Sequence, residues 1–283
     1  IFTVVHRPSS ATALRDIGVL DLRTGKHKVL VKGVLARYAA PGFLVFVRAD
    51  GVLVAVRFDQ DQLAMMGEPV PLATGIAVGT FGAADLAMGT DGTLAYVAGE
   101  NAGGEAEVVW VNREGAVKPV DQGWRANFQN LALSPDGSRL AVSIATQTGE
   151  DIWIKQLDTG PTSRLTFGEA RFRGPSWSSD GGRVVFIAES KFPFDLVVKR
   201  SDGNGPTETL VHETRSVAEG RMSQDGKWIF YRTSSTDAGR GDILVKRVGD
   251  SVAVPLLATP TDERHPTLSP DGRWLAYRSA ETG

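Results

Sequence analysis

Arginine is the residue type of this sequence whose spacing could do chemistry. Arg37, Arg125, Arg171 with Arg173, Arg215 with Arg221, and Arg264 with His265 recur just before the first, channel-lining strand expected in each unit of a repeated pattern. Tyr38, Phe81, Trp124, Asn127 and Phe128 stand beside them. The planar guanidinium fork suits bidentate capture of a carboxylate or a phosphate. The group therefore predicts a site for a protein, an acidic peptide or a small anionic ligand. The competing expectation is a set of solvated loop residues paired locally with Glu169, Glu219, Asp262 and Glu263.

Other chemistries find less support. His6, His27, His212 and His265 are scattered, and His212-Glu213 runs into Thr214-Arg215-Ser216, so the zinc-protease motif His-Glu-x-x-His does not form. No Gly-x-Ser-x-Gly elbow is present, since Gly249-Asp-Ser251-Val-Ala253 lacks the closing glycine. Asp59-Gln-Asp61 lacks the glycine and later glutamate of a calcium loop. No glycine-rich loop ends in Lys-Ser or Lys-Thr, and Arg23-Thr-Gly-Lys26 reads as an ordinary turn. With no cysteine, disulfides and thiolate metal sites are excluded. No metal, no cofactor and no catalysis are expected within this chain.

The elements that must position the arginines follow from a repeat. An apolar alternation, a Ser-Pro-Asp-Gly-like turn and a second alternation recur with turn glycines at Gly42, Gly92, Gly137, Gly181, Gly226 and Gly272. Their separations are 50, 45, 44, 45 and 46 residues. Four-stranded propeller blades repeat at about 40–50 residues. In such turns Pro presets φ, Asp bonds its own backbone two residues on, and Gly supplies positive φ. The aspartates Asp91, Asp136, Asp180, Asp225 and Asp271 are accordingly read as turn residues rather than as a ring of metal ligands.

Segments such as Arg139-Leu-Ala-Val-Ser143 and Arg183-Val-Val-Phe-Ile187 predict the second strand of each unit. A third strand opens on an acid: Asp16, Glu107, Asp151, Asp195 and Asp242. These acids are expected to bond backbone N–H groups at the loop. A fourth, more polar strand follows, as in Thr162–Thr166, Thr207–Val211 and Val254–Ala258. Four strands per repeat predict an all-β chain, a β-propeller of four-stranded antiparallel blades. Residues 1–283 form one domain, and six blades close it, the last shared between the termini. Ile1–Val5 reads as a second strand, so the join carries about one strand to spare. The alternative is part of a seven- or eight-bladed propeller cut at both ends.

Composition sets the outer limits. The chain has 283 residues, 42% hydrophobic and 23% charged, with a net charge of −2. Those values exclude disorder and give no electrostatic case for nucleic acid or an anionic membrane. No apolar run approaches the ~18 residues of a membrane-spanning helix. The first residue is Ile, which fits a piece of a longer protein.

Leu131–Gly137 with Asp151-Ile-Trp-Ile154, and Leu268–Tyr277, resemble the TolB-like, WD-repeat-like propeller repeat. Asp21-Leu-Arg-Thr-Gly25, Ala36–Gly42, Gly67-Glu-Pro-Val-Pro71 and Val109–Gly115 resemble the propeller region that follows the kinase domain in bacterial serine/threonine protein kinases. That resemblance implies a non-catalytic sensor or scaffold outside the cytoplasm, in the periplasm. Composition alone is equally compatible with the cytoplasm. Related propellers also occur as enzymes (lyases or hydrolases working at the channel mouth) and as accessory domains of peptidases, so the fold does not decide the role.

Overall fold

The structure is a computed structural model. It describes residues 2–5, 15–21, 27–39, 41–78, 84–89, 92–98, 105–112, 115–146, 149–158, 160–234, 241–258, 263–268 and 274–278. Every regular element among them is a β-strand. The chain divides into two compact units, 1–124 with 267–283, and 125–266.

In the first unit, β1 (Phe2–Val5), β2 (Arg15–Asp21) and β3 (His27–Lys32) precede β4 (Leu35–Ala39), β5 (Phe43–Val47), β6 (Leu53–Asp59) and β7 (Ala64–Ala73). The last four form one antiparallel sheet in chain order. Next come β8 (Leu86–Met88), β9 (Leu94–Ala98), β10 (Ala106–Val111) and β11 (Val117–Pro119), again paired in order.

The second unit repeats that plan. Its sheets are β12 (Arg125–Leu133), β13 (Arg139–Ala145), β14 (Glu150–Gln156) and β15 (Thr162–Arg164); then β16 (Arg171–Trp177), β17 (Arg183–Glu189), β18 (Asp195–Arg200) and β19 (Glu208–Val211). The third is β20 (Val217–Met222), β21 (Trp228–Thr233), β22 (Ile243–Arg247) and β23 (Val254–Leu257). β24 (Arg264–Leu268) and β25 (Trp274–Arg278) close the sequence.

The two ends of the chain share a sheet in the order β24–β25–β2–β3. First and second strands thus come from the C-terminus, third and fourth from the N-terminus. β1 lies beside Arg15–Gly18 of β2, while β25 takes Leu20 and Asp21. That is the spare second strand that the sequence spacing predicted.

The second strand β17 is apolar from Val184 to Ala188 because both of its faces are buried. In β17, Val184, Phe186 and Ala188 join a core with Ala141, Ile152 and Leu165 of the preceding sheet. The alternate residues Val185 and Ile187 join a different core with Val217, Ile229 and Tyr231 of the following sheet. Period-two alternation sends neighbours to opposite faces, so one strand serves two cores. Stacked sheets of this kind are the blades of a propeller.

The turn chemistry is as the sequence predicts wherever it is described. Ser134 Oγ donates to Asp136 Oδ1 at 2.5 Å, Ser138 N donates to the same oxygen at 3.1 Å, and Arg139 N donates to Ser134 Oγ at 2.9 Å. Ser178 with Asp180 and Ser223 with Asp225 repeat the arrangement. Asp91 and Asp271 lie outside the described residues. The side-chain bond from Ser134, then the N–H and hydroxyl of Ser138, pull the Asp136 carboxyl from 3.8 to about 2. A depressed folded pKa gives stability that is present above the unfolded value and lost as pH falls through the folded one. Asp136→Asn should therefore shrink the loss of stability between pH 5 and pH 2, measured by denaturant unfolding at both values. An unchanged difference would refute that role.

Candidate binding site on the innermost strands

In the second unit the first strands of successive sheets lie side by side, β12 against β16 and β16 against β20. Hydrogen bonds tie them one repeat apart. Asn130 Oδ1 accepts from Gly174 N at 3.1 Å, and Trp177 Nε1 donates to Ala132 O at 2.8 Å. Toward the next sheet, Arg173 donates to Ala218 O at 3.3 Å. Ser176 Oγ donates to Gly220 O at 3.4 Å.

Each of these strands carries a register shift, between Phe128 and Asn130, Arg173 and Ser176, and Val217 and Glu219. A bulge leaves ladder groups unpaired and re-aims side chains. Here the neighbouring strand takes up those groups: Ala218 O accepts from Arg173, and Gly174 N donates to Asn130.

The arginines stand at strand ends, and their partners differ from the expected ones. Arg171 bonds Glu150 at 3.0 Å and lies 3.9 Å from Glu189. Arg173 Nε donates to Glu189 Oε1, and Arg215 bonds Asp242 at 2.9 Å. The acids that meet Arg171, Arg173 and Arg215 therefore come from β14, the end of β17 and the residue before β22. Glu219 lies 4.0 Å from Arg232 instead. Asp262 lies outside the described residues. Antiparallel register decides this, since Arg171 faces Glu189 across the sheet.

Arg171 and Arg215 remain exposed, at 58% and 46% of the side chain, so their free N–H groups stay open to a ligand. Arg125 opens β12 and is exposed; Arg264 opens β24 and is half-buried. Asn127 accepts from Gln129 at 2.5 Å, and Phe128 is buried, so it offers no surface to a ligand. Arg37 is the central residue of β4 and Tyr38 follows it, in the other unit, so both lie within the strand rather than ahead of it. Tyr38 Oη accepts from Gly42 N at 2.9 Å and so holds a turn. Phe81 and the side chain of His265 lie outside the described residues.

Arg221 also departs from the expected grouping. It is the fifth residue of β20, two before the turn residue Ser223, whereas Arg171 opens β16. The two arginines lie toward opposite ends of equivalent strands.

Of the strand-opening acids, Asp151, Asp195 and Asp242 meet side chains where backbone N–H groups were expected. Asp151 accepts from Arg164 at 2.6 Å and from Thr166 at 2.9 Å. His212 Nδ1 lies 2.6 Å from Asp195 Oδ1. Among the described residues no three His, Asp or Glu side chains gather as metal ligands. No helix of the described residues is long and apolar enough to cross a membrane.

Strands grouped in fours, stacked face to face and tied along their first members, define a β-propeller of four-stranded antiparallel blades. The chain belongs to the TolB beta propeller domain family, whose model matches residues 89–283. An uncharacterized protein of Agrobacterium fabrum is 23% identical over 67% of this chain and 63% of its own length. The uncharacterized peptidase YuxL of Bacillus subtilis is 28% identical over 40% of this chain and 18% of its own length. The chain thus spans less than two thirds of either relative. Among solved structures, a TolB candidate from Agrobacterium tumefaciens superposes with a TM-score of 0.73 at 19% identity. That likeness covers 95% of this chain and 99% of the other.

Proposed function

We propose that this chain is a non-catalytic binding module that holds a protein, a peptide or a small anionic ligand through arginines opening successive innermost strands. In this reading it is the sensor portion of a bacterial serine/threonine kinase and works outside the cytoplasm. The observation that carries the binding role is the placement of Arg125, Arg171 and Arg215 at the same end of β12, β16 and β20. Exposed guanidinium groups repeated along one rim can hold several carboxylates at once. The ion pairs with Glu150 and Asp242 fix each fork in place, which lowers the ordering cost of binding.

A fluorescein-labelled poly-glutamate peptide provides the test. Its affinity for the chain should fall about tenfold in the double variant Arg171→Ala with Arg215→Ala, and recover in part with Arg171→Lys, as expected for two charge-assisted contacts. Unchanged affinity in the double variant would remove the rim from the proposal.

The likeness to YuxL favours a second reading, an accessory propeller of a peptidase. Sequencing the reading frame on both sides of these residues separates the two, by a kinase domain or by a hydrolase domain.

A further inference from the structure

The loop between β17 and β18, residues 190–194, runs from one arginine position of the rim to the next. It leaves the sheet at Glu189, which accepts from Arg173 and lies 3.9 Å from Arg171. It re-enters at Phe194, whose N–H donates to Ser216 Oγ at 2.9 Å and whose carbonyl accepts from Val217 N at 2.8 Å. Ser216 directly follows Arg215. The loop is thus fixed at both ends to the residues that place the guanidinium groups.

Ser190, Lys191 and Phe192 are exposed, with 63% of Phe192 open to water. Phe194 packs beneath, against the core that holds Leu196, Val217 and Tyr231. The two rings meet edge to face, with centroids 6.0 Å apart and planes at 78°. A ring held open to water gains free energy when a partner covers it. Phe167 is equally exposed, but Arg164 and Lys199 already lie over its ring, 5.1 and 5.9 Å from the centroid.

The acids around the loop are mostly engaged. Glu150, Glu189 and Asp242 hold Arg171, Arg173 and Arg215, Asp195 meets His212, and Glu213 accepts from Tyr231 Oη. Glu169, exposed ahead of Arg171, is the exception. Lys191 and the open N–H groups of Arg171 and Arg215 therefore favour an acidic partner.

We propose that Phe192 is an apolar subsite of the rim, and that the partner is a protein segment carrying an aromatic or large aliphatic side chain among carboxylates. That side chain covers Phe192 while the carboxylates reach Arg171 and Arg215. The inference rests on the rim reading and narrows it, because a small anion cannot cover the ring. Aromatic and arginine side chains are the ones that dominate affinity in protein interfaces. The anchored loop leaves little ordering to be done on binding.

Two fluorescein-labelled peptides of equal length and net charge test the subsite. One is built of glutamate and glycine, and the other has a central glycine replaced by phenylalanine. The second should bind the chain about tenfold tighter. Phe192→Ser should abolish that advantage and leave the glutamate–glycine peptide within about twofold, while Phe192→Trp and Phe167→Ser keep it. Arg171→Ala with Arg215→Ala should weaken both peptides alike. No advantage in the parent chain, or one that survives Phe192→Ser, would overturn the subsite and leave the rim reading intact. Unchanged affinity of both peptides in the double arginine variant would remove the rim reading, and the subsite with it. Equal loss of both peptides in Phe192→Ser, with a lower melting temperature, would assign the ring a structural role and overturn the proposal. Self-association of the parent chain that Phe192→Ser abolishes, read by sedimentation, would make a second copy the occupant and overturn it as well.

Discussion

Phe186→Ala is expected to lower the unfolding free energy by about 3–5 kcal/mol, the usual range for truncating a buried aromatic residue. Phe186 is fully buried in the centre of β17 and joins the core shared with Ala141, Ile152, Ile154 and Leu165. Its ring meets Phe172 edge to face, with centroids 5.7 Å apart and planes at 83°. Truncation opens a cavity and removes that aromatic pair together. Neighbouring rings relax poorly because Val185 and Ile187, on either side, are anchored in a second core. Phe172 sits between Arg171 and Arg173, so the same change loosens the strand that presents both guanidinium groups. Phe186→Leu keeps most of the volume and should cost less than about 2 kcal/mol. Urea unfolding followed by circular dichroism measures both. A cost below about 1 kcal/mol for the alanine variant would mean that the two sheets do not share this core.

Much of the fold was legible because each repeat carries its own signal. The Ser-x-Asp-Gly turns mark where first strands give way to second strands, and the bonds of Asp136, Asp180 and Asp225 give the chemical reason. Continuous apolar runs such as Val184–Ile187 announce a strand buried on both sides. The site was less legible. Arg171 finds Glu150, 21 residues away, and Arg215 finds Asp242, 27 residues away, through sheet register that no local pattern encodes. The register shifts add to this, because of the three only that in β16 carries a visible cue, Gly174-Pro175. Arg221 was grouped with Arg215 because the two are near in sequence. In the fold, position along β20 separates them.

Glu189→Gln should weaken the fold and strengthen the binding rim at once. Glu189 ends β17 with 12% of its side chain exposed, accepts from Arg173 Nε and lies 3.9 Å from Arg171. Removing its charge leaves Arg173 partly buried without a full counter-ion. The cost falls between that of an exposed pair, near 0–1 kcal/mol, and a buried one, so about 1–3 kcal/mol is expected. The amide oxygen still accepts one bond, which keeps the Arg173 fork in place. Arg171 keeps Glu150 but loses a competitor for its remaining N–H groups. An acidic peptide then meets one more unit of positive charge, and its affinity should rise about three- to tenfold at low salt, with most of the gain lost near 1 M salt. Peptide titrations at the two salt concentrations measure this, with urea unfolding alongside. A stability loss without any gain in affinity would show that Glu189 only braces the strand, and that the arginines it holds do not face the ligand.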